Sequence, residues 1–300
     1  MKRNLRIALV VALALAVSTA GAFAAVVSAS FNKINITVNG TPVAVSGESF
    51  VRSTGDVPYS ILYKGTTYLP LAKVCEFVGK DVAWDGSTRT VSISTPKEAP
   101  KAPAASTAAP SSHQDANPDC TFDSLTIQVN GQVFAVPGQQ YDRGGSTVPY
   151  SLLYRGTTYL PLAAVCQLVG KDIAWDGATY TAAVKDRAAI ANYSGSGVPD
   201  FGKLSGLSRA DESNSDSEMV YNYYCYTGSG REANADSDIQ KYVSYLFDAG
   251  YTYRTEESAA LFGDQNTKLY CYGSDTTGQL VVVGLVQYKE LTEAVISYTK

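Results

Sequence analysis

The sequence predicts an α+β protein: two small antiparallel-sheet domains, each with one short helix, and a third α+β domain of β-α-β-β type. Three observations predict it. The segment Gly65 to Gly86 recurs as Gly156 to Gly177, offset by 91 residues and differing at four of 22 positions (Lys73/Ala164, Glu76/Gln167, Phe77/Leu168, Val82/Ile173). Each copy combines strand-like alternation, turn pairs and one short amphipathic run. Beyond residue 197 the composition shifts to tyrosine-rich strand candidates around one capped helix.

The chain opens with Lys2, Arg3 and Arg6, an apolar run from Ile7 to Val17, and small residues ending in Ala22-Phe23-Ala24. That order reads as a secretory signal over residues 1–24, with cleavage after Ala24. The alternative is an uncleaved membrane anchor, because Ile7 to Val27 holds 21 residues without a charge and is long enough to cross a bilayer. An extracellular or wall-associated location is expected, with N-terminal anchoring as the alternative. A net charge of −4 and no clustered basic surface give no reason to expect nucleic acid as a partner.

The first repeat is expected over residues 30–95. Ile34 to Val38 alternates as a half-buried strand does, and Asn39-Gly40 supplies the positive φ angles of a two-residue hairpin. Residues 46–57 read as a loop. Tyr59–Tyr63 and Thr66–Leu69 are strand candidates around Lys64-Gly65. Pro70 stands where a helix begins, since its missing N–H costs nothing at the first helical position. Leu71, Val74, Cys75 and Val78 make one apolar face, and Gly79 suits a left-handed helix stop. Val82 and Trp84 alternate with Asp81 and Asp85, which places Trp84 and its copy Trp175 in the core. Asp85-Gly86 turns the chain into a last strand from Thr88 to Ile93.

Of the 60 positions from Ile34 to Ile93, 34 match their counterparts at +91. The second repeat is expected over residues 120–186, each copy closing its own core. The intervening 96–119 is a spacer: Thr95 to Asp119 carries five prolines among Ala, Ser and Thr. Extended at ~3.1 Å per residue, it could reach roughly 75 Å. A shorter linker, 187–197, leads to the Tyr-rich acidic domain at 198–300. Thirteen of the 21 tyrosines lie from Tyr193 onward, and from Asn192 on there are 15 acidic against eight basic side chains. Met219–Tyr226 reads as a strand. Ser237 and Gln240 form a capping-box pattern for a helix with Ile239, Tyr242, Val243, Leu246 and Phe247 on one face. Strands are expected over Thr267–Tyr272, Leu280–Tyr288 and Ala294–Tyr298.

These residues make the repeats resemble the copper amine oxidase N-terminal domain family, also called the stalk domain. The matching features are the Asn-Gly hairpins (Asn39-Gly40, Asn130-Gly131), Thr67-Tyr-Leu-Pro-Leu71 with its copy Thr158 to Leu162, and the short helix with its glycine. Val82 to Asp85 and Ile173 to Asp176 before the last strand complete the set. The family commonly carries an arginine after the Pro-Leu pair; here Ala72 and Ala163 stand instead. The resemblance implies no oxidase chemistry. That chemistry needs three copper-binding histidines and a tyrosine converted to a quinone, whereas this chain has one histidine, His113.

The same single histidine excludes Ser-His-Asp and Cys-His catalysis. No cofactor and no metal site are expected, since neither Cys75 nor Cys166 has a second Cys or His at ligand spacing; each reads as a small buried hydrophobe. Cys225 and Cys271 lie in strand candidates on either side of the helix, so a disulfide between them is a candidate. Cys120 is left as the free thiol or an intermolecular partner. Asp211 to Glu218 reads as a solvated acidic loop rather than a calcium loop. Tyr224, Tyr226, Tyr270 and Tyr272 form a candidate glycan-stacking surface, against the alternative of ordinary half-exposed strand residues. The function expected is that of an exported, non-catalytic envelope protein with a structural or binding role. Its expected partners are cell-wall polysaccharide or other envelope proteins. Recognition of glycan by the Tyr-rich domain is the alternative, and a carboxylate-dependent wall hydrolase a further one.

Overall fold

Asn39-Gly40 and Asn130-Gly131 take left-handed φ angles of 49° and 83°, and of 45° and 88°. They close the hairpins Asn35–Val38/Thr41–Ala44 and Thr126–Val129/Gln132–Ala135. These belong to a computed structural model that describes residues 26–31, 34–96, 119–122, 125–143, 146–226, 235–261, 267–289 and 291–300. The expected signal at 1–24 lies outside the described residues, as does the expected spacer apart from its end residues 96 and 119. The fold is α+β, as the sequence predicts. Among the described residues no helix is long and apolar enough to cross a membrane.

A second hairpin in each repeat, Ile61–Tyr63/Thr66–Pro70 and Leu152–Tyr154/Thr157–Pro161, leads into a short helix. These helices are α1 (Leu71–Val78) and α2 (Leu162–Leu168). Pro70 is the cap residue rather than the first helical one, with φ −57° and ψ 121°. It ends the strand and starts the helix without an N–H that would need a partner. Gly79 ends α1 at φ 67°, as expected. Residues 46–57, read as a loop, contribute one short antiparallel pair, Ser49–Phe50 with Val57–Pro58.

The duplication is present, but neither copy closes its own core. The last strand of the first repeat, Thr90–Ser94, runs parallel to Thr126–Val129 of the second, with Val91 opposite Ile127. Reciprocally, Thr181–Asp186 runs parallel to Asn35–Val38, with Ala182 opposite Ile36. Each four-stranded sheet therefore takes one hairpin from each repeat. A seven-stranded sheet also joins the repeats, with Thr66–Pro70 paired antiparallel to Thr157–Pro161. Leu69 faces Leu160, while Tyr68 faces Pro161 and Pro70 faces Tyr159. This register is self-complementary, as in a twofold homodimer. Near-identical copies make the exchange possible, because each hairpin offers either partner the same apolar face.

The third region forms a six-stranded antiparallel sheet in the order Asp211–Asn214, Glu218–Tyr226, Leu291–Thr299, Leu280–Gln287, Thr267–Ser274, Tyr251–Tyr253. Asp211 to Glu218, expected as a loop, is an exposed edge hairpin. Three helices, α3 (Phe201–Ser205), α4 (Ala235–Asp248) and α5 (Thr255–Ala260), accompany the sheet. Ile239, Tyr242, Val243, Leu246 and Phe247 of α4 are all buried, as their spacing predicts. The helix starts at Ala235, so Ser237 lies inside its first turn.

Residues 187–197, expected as a linker, are mostly exposed but are pinned through Tyr193. Tyr193 is buried, donates or accepts with the Tyr223 hydroxyl at 2.9 Å, and stacks on Tyr221 with ring centroids 4.2 Å apart. The C-terminal region is docked on the repeats. Phe247 meets Phe134 edge to face at 6.3 Å, the Tyr272 hydroxyl donates to Gln132 Oε1 at 2.8 Å, and Arg187 donates to Ser244 and to the Lys241 carbonyl. One apolar cluster runs through both regions.

Candidate functional site

The strand that follows each short helix does not pack inward. Asp81–Asp85 is exposed along its length, and its copy Lys171–Asp176 is exposed from Asp172 onward. Trp84 and Trp175, expected in the core, are each 55% exposed. Alternation along a strand separates two faces but does not say which is covered. Here Val91 and Ile93 of the neighbouring strand share a face with Trp84 and Val82; the two inner residues are buried, while the indole, on the outermost strand, is left over open space.

That space is a pair of clefts. In the first, Val82, Trp84 and Arg89 face Leu71 and Ala72 at the start of α1, with Phe50 and Arg52 on the rim. The other wall belongs to the second repeat: Leu153, Gly156, Thr157 and Thr158. The second cleft sets Ile173, Trp175 and Tyr180 against Leu162, Ala163, Tyr141 and Arg143, and borrows Leu62, Gly65, Thr66 and Thr67 from the first repeat. Every lining residue of the second cleft is the +91 counterpart of one in the first. The volumes are about 550 and 530 Å³, within the range of small-ligand sites. Strand exchange is what builds them, since each cleft needs walls from both repeats. Ala72 and Ala163 line the clefts where the family commonly has arginine, and the guanidinium groups of Arg52 and Arg143 reach the rims from another segment.

The two clefts differ in what their rim arginines bind. Arg143 lies across its cleft and donates to the Lys64 carbonyl and, at 3.0 Å, to Thr66 Oγ1. Arg52 instead donates through Nε to the Gly55 carbonyl at 3.2 Å. Thr157 Oγ1, the counterpart of Thr66 Oγ1, is left buried without a hydrogen-bond partner. No carboxylate lines either cleft. Just beyond Trp84, Asp85 anchors its turn by accepting from the Ser87 and Thr88 hydroxyls at 2.7 Å, and these bonds hold its carboxyl down at about 2.

Cys225 and Cys271 form no disulfide with each other, and both are buried. Their strands are separated by Leu291–Thr299 and Leu280–Gln287. At ~4.8 Å per strand spacing, about 14 Å lies between them, twice the reach of a disulfide. Cys120 is buried in the seven-stranded sheet rather than beside a linker, and burial pushes its thiol up to about 11. Cys75 and Cys166 are fully buried, and desolvation pushes each up to about 12. The tyrosine surface is not assembled. Tyr272 is 0% exposed, while Tyr224 and Tyr270 are half-buried on strands at separate places in the sheet. The side chain of Tyr226 lies outside the described residues. Among the described residues, no three His, Cys, Asp or Glu side chains gather as a metal site requires.

Sequence reasoning missed the clefts, although one signal was present: an aromatic or arginine recurring at matched positions in both copies (Phe50/Tyr141, Arg52/Arg143, Trp84/Trp175).

The model of the copper amine oxidase N-terminal domain family matches this chain twice, at residues 19–93 and 51–150. The second match straddles the two repeats. It takes in all four strands of the composite sheet formed by Asp81–Asp85, Thr90–Ser94, Thr126–Val129 and Gln132–Ala135. No curated protein and no solved structure matches the chain.

Proposed function

We propose that the chain is an exported, non-catalytic cell-envelope protein with a binding role at the wall, and that the Trp84 and Trp175 clefts are its binding surfaces. The observation that carries this reading is the pair of equivalent clefts, each presenting an indole 55% exposed. Large aromatic surface held open to water in a shaped cleft marks a contact site more often than a scaffold. The charged, apolar and then small residues at the N-terminus support export. The stalk-domain match to the repeats, whose family implies no oxidase chemistry here, supports a binding or structural role over a catalytic one. Glycan recognition moves from the tyrosines of the third region to the clefts, because Tyr272 is buried and its hydroxyl is engaged by Gln132.

Cell fractionation combined with a sacculus assay tests the proposal. The protein should appear in the envelope or medium fraction, and the chain from Ala25 onward should pellet with purified sacculi without releasing soluble fragments. Recovery in the cytosol would sink the export reading, and released fragments would replace it with the hydrolase.

A further inference from the structure

Of the two clefts, the one containing Trp84 is open for a ligand of definable chemistry. Helix α1 begins at its wall with Leu71 and Ala72, has no side-chain cap and carries no acidic residue in its first turn. The positive end of its dipole therefore lies at the cleft wall without a capping or acidic side chain to offset it. The second, independent feature is Thr157, 9% exposed, whose Oγ1 has no partner. A buried hydroxyl without a hydrogen bond is costly, so Thr157 Oγ1 points to a polar group that this cleft receives. In the companion cleft the same position is filled: Thr66 Oγ1 accepts from Arg143.

We propose that the Trp84 cleft binds a carboxylate-bearing sugar of an acidic glycan. The inference rests on the binding role proposed above and names its ligand class. The negative face of the indole attracts the C–H edges of a pyranose ring. Arg52 on the rim and the uncapped start of α1 converge on a carboxylate, which a guanidinium can hold through two parallel hydrogen bonds. No carboxylate belongs to the lining, although the chain as a whole carries −4. The Thr157 hydroxyl is completed either by the ligand or by Arg52 folding over it, as Arg143 does in the companion cleft.

The chain contains two tryptophans, so Trp175→Phe leaves Trp84 as the sole indole and its emission reads this cleft alone. Titration with oligogalacturonate, neutral chito-oligosaccharide and oligoglutamate separates the ligand classes. The account expects saturable quenching by oligogalacturonate, at least tenfold weaker binding of the neutral sugar and of the peptide, and weakening by added salt. Arg52→Gln should lower uronate affinity about tenfold, with Arg52→Lys intermediate because the two-pronged geometry is lost while the charge stays. Unchanged thermal melts of both variants exclude unfolding as the cause. Equal binding of neutral and acidic sugars would overturn the acidic ligand while leaving the cleft as a binding surface. Oligoglutamate binding as tightly as the uronate would overturn the saccharide. An unresponsive Trp84 in a chain that still pellets with sacculi would overturn this site without touching the envelope role.

Discussion

Tyr68 and Tyr159 fasten the repeats to each other. Both are 0% exposed, and their hydroxyls donate to the carbonyls of Pro149 and Pro58 at 2.6 Å, each across to the other copy. Removing one hydroxyl loses a short buried hydrogen bond and leaves a carbonyl without its donor. Tyr68→Phe should therefore lower the unfolding free energy by about 1–2 kcal/mol, read from the urea midpoint at unchanged slope. Asp85 provides a pH test beside the cleft. Its folded carboxyl is held at about 2 by Ser87 and Thr88, against about 3.9 in an unfolded chain. A depressed carboxyl stabilises above the unfolded value and loses that contribution as pH falls through the folded one. Asp85→Asn should therefore melt below the parent at pH 6, and the two should converge as the pH approaches about 2. A gap that stays constant across this range would show that the carboxylate form is not what the turn relies on.

At the level of elements, local chemistry was legible and long-range pairing was not. Asn39-Gly40, the apolar face of α1 and the left-handed Gly79 follow from residue types at fixed spacing, and the structure has them where the sequence puts them. The strand exchange is invisible to such reasoning. Because the copies match at 34 of 60 positions, Thr90–Ser94 meets the same apolar pattern whether it pairs within its own repeat or with Thr126–Val129. The exposure of Trp84 is hidden for a related reason: its strand lies at the edge of a composite sheet, beyond the residues that cover Val91 and Ile93 on the same face. The exchange makes a prediction about the isolated first repeat. A fragment spanning residues 26–96 lacks the strands that complete its sheets, and a second copy of itself supplies equivalents. It should be a dimer in solution by light scattering, or unfold on dilution. A compact monomer at micromolar concentration would show that the repeat closes on itself.

On the scale of the whole molecule, the C-terminal sheet is not a separate binding module but a partner of the repeats. Phe247 and Tyr272 spend their aromatic surface against Phe134, Gln132 and each other, with the two rings 5.9 Å apart. The tyrosine-rich composition read from the sequence thus reports a packed core, since Tyr193, Tyr221, Tyr223, Tyr242 and Tyr298 are buried as well. Nothing in composition separates a tyrosine whose ring seals an interface from one that stacks on a ligand. What was legible was the duplication, and the duplication turns out to carry the site, because both clefts are assembled from residues of both copies. The most direct test compares the chain from Ala25 with its Trp84→Ala/Trp175→Ala variant by co-sedimentation with purified sacculi. The account predicts that the parent pellets, the variant stays in the supernatant with an unchanged melting temperature, and neither releases soluble fragments. A variant that pellets as fully as the parent would contradict it.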